Sequence, residues 1–304
     1  MSRGLGDVYK RQIFMDKSFD VIIPVGVKDI FIVQRNVECI NLYLNANSIY
    51  LISKKKFRIF FHDLLNKYPN VHFVDEDILV PGLSKRKLLS YINVVAPHLM
   101  PKCGWYFQQF LKMGFAKSNY CKDYYLIWDA DTLPTRQINF FTDTNRCLFC
   151  VKEECHVPYF RTMEKLLGVS KLIDKSFIAE HMMIKTEYMN ELIACIEQSS
   201  DNGTWWKRII AAIDQDSLLG FSEFETYGTF VYRYYPESIS FRELKSNRRA
   251  GKIYGRSISM SELLCIKEMD TISLEPADKP DLMIRKLWQF PQRLFIKLLS
   301  VIIS

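Results

Sequence analysis

Two aspartates, Asp129 and Asp131, stand one residue apart in the stretch YYLIWDADTLPTR, residues 124–136. In an extended chain, side chains at i and i+2 point the same way, so these carboxylates repel one another unless a cation lies between them. Carboxylate oxygens are suitable ligands for hard divalent ions such as Mg²⁺. The pair therefore reads as half of a binding site. Its apolar lead-in, Tyr124 to Trp128, reads as a buried strand, and Pro134 limits how far that strand can continue. The aspartates are expected at a strand's C-terminal end, where open α/β sheets bind ligands.

The elements that must position them follow from periodicity. FDVIIPV (19–25) predicts a strand ending near a proline, and a helical pattern follows from about residue 30 to 44. SIYLIS (48–53) repeats the strand signal, and a helical stretch over 57–68 leads to NVHFVDED. The first part thus reads β-α-β-α-β with short connections, which predicts a parallel sheet with right-handed crossovers. Further helices are expected over 84–95 and 103–117, with less regular segments beyond the aspartates.

The 304 residues are 48% hydrophobic and 25% charged, the composition of a globular chain able to bury a sizeable core. No Gly/Ser-rich linker, low-complexity tract or repeat divides it. Residues 15–275 are read as one domain. Residues 1–14 do not look like the rest and are expected to be a non-native or disordered extension, and residues 276–304 are expected to form a basic amphipathic tail. No signal-peptide core and no span of about 20 apolar residues is visible, which predicts a cytoplasmic compartment. The net charge is +7. Much of it belongs to the two ends (Arg3, Lys10 and Arg11 at one, Lys279, Arg285, Lys286, Arg293 and Lys297 at the other), so the body carries no nucleic-acid footprint. The eight cysteines are scattered and read as reduced thiols. Cys147 and Cys150 in CLFCV would point to opposite faces of a strand, which argues against shared zinc.

Two chemistries suit the aspartates. A haloacid-dehalogenase-type phosphohydrolase carries D-x-D-x-T after an apolar strand, but here Leu133 stands where the threonine belongs, and no downstream G-D-x-x-D follows. The alternative is the D-x-D of metal-dependent glycosyl transfer, in which a divalent ion neutralises the diphosphate of a nucleotide-sugar as the sugar leaves.

The blocks FDVIIPV, GWYFQQFLKMGFA (104–116), YYLIWDADTLP and FSEFETYGTFV (221–231), supported by SFIAEHMMI (176–184), resemble the GT-A superfamily of glycosyltransferases, in particular an uncharacterised bacterial branch. The resemblance spans roughly residues 19–256. It implies a Rossmann-type α/β fold with a mixed, mostly parallel central sheet flanked by helices, and hexosyltransferase-like transfer from a nucleotide-sugar donor. Asp129 and Asp131 would hold Mn²⁺ or Mg²⁺. The helix over 104–116 would lie beside the donor and bring Gln108 and Lys112 to it; without the resemblance, Gln108, Gln109 and Lys112 read as a solvated face. Glu223, with Glu225 close by, is the expected base, because a carboxylate near the acceptor hydroxyl could accept its proton. His181 would belong to the substrate pocket, with His156 a similar case. Pro24, Val25, Lys28 (paired in sequence with Asp29), Arg86 and Trp128 are candidate donor contacts. So are Arg248 and Arg249, in the basic loop FRELKSNRRAGKIYGR with Arg242, Lys245, Lys252 and Arg256. The acceptor would be a bacterial surface glycan or its lipid-linked precursor, in polysaccharide biosynthesis. A non-catalytic glycan- or nucleotide-sugar-binding protein of the same fold is the rival reading.

After Pro291, Arg293, Lys297, Ser300 and Ser304 recur at helical spacing and leave Leu294, Phe295, Leu298, Leu299, Ile302 and Ile303 on an apolar face. Such a helix is too short to span a bilayer. It must cover the core or a partner subunit, or lie peripherally on the anionic inner membrane.

Overall fold

The computed structural model describes residues 17–198, 203–281, 291, 292 and 294–299. The expected extension over 1–14 and much of the tail therefore lie outside the described residues. The chain begins with strand β1 (Asp20–Pro24), helix α1 (Val33–Tyr43), strand β2 (Ile49–Ser53), helix α2 (His62–Lys67) and strand β3 (Val71–Asp75). β1 pairs in parallel with β2, and β2 with β3. Every residue of β1 and β2 is buried, as expected of parallel strands covered on both faces, whereas the edge strand β3 alternates. Helix α1 closes one face because Val33, Val37 and Ile40 recur on one side of it.

Helices α3 (Lys85–Val95) and α4 (Cys103–Gly114) follow, then strand β4 (Tyr124–Trp128). Ser84 caps α3 by accepting the Lys87 N–H at 3.3 Å. β4 joins the free side of β1 in parallel, so the strand order is β3-β2-β1-β4 and the chain reverses its direction of travel between β1 and β4. Beyond it come the short strand β5 (Thr132–Pro134), strand β6 (Cys147–Cys150), helix α5 (Val157–Leu167) and strand β7 (His181–Lys185), which adds antiparallel to β4. The result is a mixed α/β architecture with a mostly parallel central sheet flanked by helices, as the sequence led one to expect.

Helices α6 (Thr186–Gln198), α7 (Trp205–Ala212) and α8 (Glu223–Tyr234) cover the sheet, followed by strands β8 (Ile239–Arg242) and β9 (Ser246–Asn247), helices α9 (Ala250–Tyr254) and α10 (Met260–Cys265), and strand β10 (Thr271–Ser273). Two small sheets, β5-β10-β9 and β6-β8, stitch this last stretch to the body. A second apolar cluster with Ile32, Leu133, Ile258 and Leu274 seals it against α1. The eight cysteines are free thiols, with Cys147 and Cys150 both buried in β6.

Within the tail, residues 291–292 and 294–299 are helical. Phe295 lies against Phe31 and Phe60, with ring centroids 5.6 and 6.1 Å apart, and Ser257 Oγ lies 3.4 Å from Gln292 Oε1. Leu294 and Leu298 remain exposed. Among the described residues no helix is long and apolar enough to cross a membrane.

Candidate active site

Asp129 and Asp131 sit just past the C-terminal end of β4, beside the C-terminal end of β1, where the strand order reverses. Such a switch point opens a crevice in α/β sheets, and here a cleft of about 300 Å³ lies between the aspartates and helices α4 and α8. The loop is fixed from below. Asn36 of α1 donates from Nδ2 to the carbonyls of Asp129 and Ala130 at 3.1 and 2.9 Å, and the Asp129 N–H donates to the Glu180 carbonyl at 3.0 Å.

The opposite wall centres on Lys112. Its Nζ donates to Asp129 Oδ1 at 2.7 Å and to Glu223 Oε1 at 2.8 Å, and lies 4.6 Å from the Phe224 ring centroid. Burial alone would lower the pKa of this ammonium, but the charges of Asp129 and Glu223 outweigh it and hold the pKa above its usual value. A buried lysine is tolerated because both carboxylates compensate its lost hydration. Glu223 is the first residue of α8, and its N–H donates to Gln109 Oε1 at 3.0 Å. Ser222 caps the helix by accepting the Glu225 N–H at 3.3 Å. The polar side of α4 is thus not a solvated face: Gln109 and Lys112 are buried against α8, and Gln108 lines the cleft.

Negative charge is in excess on the aspartate side. The Asp131 carboxyl is pushed up to about 8, first by burial and then by the charges of Asp29 and Asp129, with Arg256 opposing and Glu275 adding to the rise. Burial likewise raises Asp29, which accepts from Arg256 Nη2 at 2.8 Å. Arg256 also ties Lys28 and Leu274 through their carbonyls, at 2.8 and 2.6 Å, and the Leu274 N–H donates to the Asp131 carbonyl at 2.9 Å. Two adjacent carboxyl groups, one of them with its charged form disfavoured by burial and neighbouring anions, offer oxygen ligands that suit a hard divalent cation. Asp129 and Asp131 are the side chains that would hold it. Among the described residues no group of three or more His, Cys, Asp or Glu side chains is placed to hold a metal ion together.

Of the other residues singled out in the sequence, Pro24 and Arg248 line the cleft. Arg248 is engaged by Glu180 and by Glu154 Oε1 at 2.5 Å. Several expected contacts lie elsewhere. Glu225 points away from the cleft and accepts from Ser176 Oγ and the Phe177 N–H, because a residue two positions on along a helix turns to a different side. His181, expected in the substrate pocket, is stacked on Trp128 at 4.8 Å inside the fold, and burial first, then Arg242, lower its pKa to about 3. Trp128 is fully buried and donates to the Thr132 carbonyl at 2.6 Å, so it supports the loop from behind. Val25 is buried at the end of β1, and the side chains of Lys28 and Arg249 are exposed. Arg86 lines a different groove, with Tyr91 and Trp206. His156 donates from Nε2 to the Leu219 carbonyl at 2.8 Å, leaving its ring against Tyr159.

Sequence reasoning passed over Asn36 and put Gln109 only on the polar side of its helix, without its contact to Glu223. Asn36 had a signal: it shares the apolar stripe of α1 with Val33, Val37 and Ile40, and a polar residue there must find a partner. Gln109 had the equivalent signal between the buried Tyr106 and Phe110.

The fold and cleft define an open-sheet α/β protein with a carboxylate-lined site at its strand switch. The chain belongs to the family of unknown function DUF6492, whose model matches residues 53–243. No curated protein matches it in sequence. Among solved structures it is similar to the WbbM bifunctional glycosyltransferase (12% identity, TM-score 0.47, 88% of this chain and 47% of that one). It is also similar to mouse xyloside xylosyltransferase 1 (12%, 0.46, 84% and 97%) and to the galactosyltransferase LgtC (11%, 0.41, 91% and 95%). The chain spans about half of the WbbM structure. Likenesses this distant leave the functional reading to the cleft itself.

Proposed function

We propose that this chain is a glycosyltransferase that moves a sugar from a nucleotide-sugar donor to a hydroxyl of a glycan or lipid-linked acceptor. The observation that carries the reading is the juxtaposition across one cleft of Asp129 and Asp131 with the Lys112–Glu223 pair. Transfer needs positive charge near the departing diphosphate and a carboxylate near the attacking hydroxyl. A divalent ion held by Asp129 and Asp131 would supply Lewis-acid stabilisation of the diphosphate. Lys112 fixes Glu223 beside Asp129, so the two carboxylates are no farther apart than its two hydrogen bonds laid end to end. Glu223 is the base in an inverting reaction. Arg248 extends positive charge along the cleft. The blocks that resemble GT-A enzymes support the same reading.

One observation favours a second version. Lys112 already places an ammonium on Asp129, so the chain's own cation could take the metal's place toward the diphosphate. Calorimetry with UDP-, GDP- and CMP-linked sugars, with and without Mn²⁺, separates the two. The metal version expects metal to tighten donor binding and Asp131→Asn to remove that gain, with unfolding unchanged within ~0.5 kcal/mol. Equal affinity with and without Mn²⁺ in the wild type would leave the lysine version. Failure of the whole panel to bind overturns the transferase reading.

A further inference from the structure

Away from the cleft, the segment KKKFRIFF (54–61) carries Lys54, Lys55, Lys56 and Arg58 with no acidic residue among them. It follows β2 and forms a 3₁₀ helix over Lys55–Phe61. Phe57 and Phe61 turn inward and anchor it, which leaves Lys55, Lys56 and Arg58 exposed beside Ile59 and Phe60. Ile59 is 75% exposed. The tail helix docks on this segment through Phe295 and Phe60, and adds Leu294 and Leu298, which are 49% and 56% exposed. Lys85 and Lys56 bring further positive charge near Lys54, and Glu76 and Asp77 offset part of it there.

We infer that the Lys54–Phe61 segment and the docked tail helix together form one surface that binds an anionic lipid bilayer. Cations set around protruding apolar side chains match a bilayer's negative headgroups and the acyl boundary beneath them. A second copy of this chain would bring the same cluster of positive charge to itself, so charge complementarity selects the lipid surface. The surface lies at the cleft's end of the molecule: Phe31, which holds Phe295, is two residues from Asp29, and Ser257, which contacts Gln292, adjoins Arg256. A protein resting on it would hold the cleft near the bilayer. The inference does not depend on the chemistry done in the cleft.

Flotation of the full chain with vesicles of neutral phosphatidylcholine, or with added phosphatidylglycerol, tests it. The chain is expected to float with anionic vesicles at low salt, to be released at high salt, and to ignore neutral vesicles. Each basic residue near such a surface is worth about fivefold. The combined Lys55→Glu, Lys56→Glu, Arg58→Glu variant should therefore lose at least about tenfold in partitioning, and Ile59→Ser several-fold. These side chains are exposed, so thermal unfolding should stay near wild type. A wild-type chain that stays unbound overturns the inference, as does a triple variant that floats like wild type. A concentration-dependent dimer abolished by Ile59→Ser, without flotation, assigns the surface to a second copy and likewise overturns it.

Discussion

Strands β1 and β2 bury all ten of their residues and meet their neighbours in unbroken parallel register, and the side chains inside are almost all apolar. Helix α8 is largely interior too, with nine of its twelve residues buried, yet it takes two carboxylates inside with it. The sheet is held by non-directional apolar burial, whereas the wall facing it depends on particular polar partners. Lys112 is the main one, joining positions 111 residues apart in the chain. The wall is therefore where one substitution does most damage.

The largest effect is expected from Lys112→Met. It keeps the volume but leaves Glu223 buried and Asp129 partly buried without their shared cation. Breaking a buried pair costs about 3–5 kcal/mol, toward the lower end here because a third of the Asp129 side chain meets water. Urea unfolding measures it. A loss under ~1 kcal/mol would mean that apolar packing holds the wall as it holds the sheet, and the contrast between the two regions would fail.

A pair of substitutions sharpens the contrast within α8 itself. Glu223→Gln should lower turnover by about 100-fold or more while donor affinity changes little, because the base acts on a proton that moves only in the transition state. Glu225→Gln should leave turnover near wild type and cost about 1–3 kcal/mol of stability, since its oxygen accepts from Ser176 and the Phe177 N–H away from the cleft. Steady-state kinetics with urea unfolding distinguishes them. The reverse pattern would make Glu225 the reacting carboxylate.

The same contrast explains what could be read in advance. Alternation and apolar runs are local signals, so β1, β2, β3 and the end of β4 were legible, and with them the place of Asp129 and Asp131. Glu223 and Glu225 look alike in FSEFETYG. Which of them faces the cleft depends on where α8 lies against α4, a relation no short stretch encodes. His181 and Trp128 misled for a related reason: polar or aromatic residues in apolar runs also serve as interior supports. Arg256 ties Asp29 to the chain around Leu274, a contact across 227 residues that spacing cannot show.

His181 offers a pH test of the interior support. Burial and Arg242 lower its pKa to about 3 in the fold, against about 6.5 for a free histidine. Below pH 6.5 the unfolded chain therefore takes up a proton that the folded chain refuses, and stability falls as pH drops toward 3. Between pH 6.5 and 5 this one group should account for about 1.5 kcal/mol. The raised Asp131 carboxyl acts in the opposite sense, so the useful quantity is the wild-type change less that of His181→Phe. No difference between the two profiles would mean that the imidazole stays accessible to protons, contrary to its stacking on Trp128.

The smallest effect is expected at Arg86, and it bounds the cleft from outside. Arg86 is an exposed residue near the start of α3 and lines the groove with Tyr91 and Trp206, not the one holding Asp129 and Asp131. Truncating an exposed side chain without a buried partner changes stability by less than about 0.5 kcal/mol. Arg86→Ala should accordingly leave unfolding unchanged and donor affinity within about twofold. A donor long enough to leave the cleft and reach α3 would change that result. A tenfold loss of affinity at unchanged stability would extend the binding surface past Gln108 and along the α3 side, and would restore Arg86 to the donor contacts its sequence position first suggested.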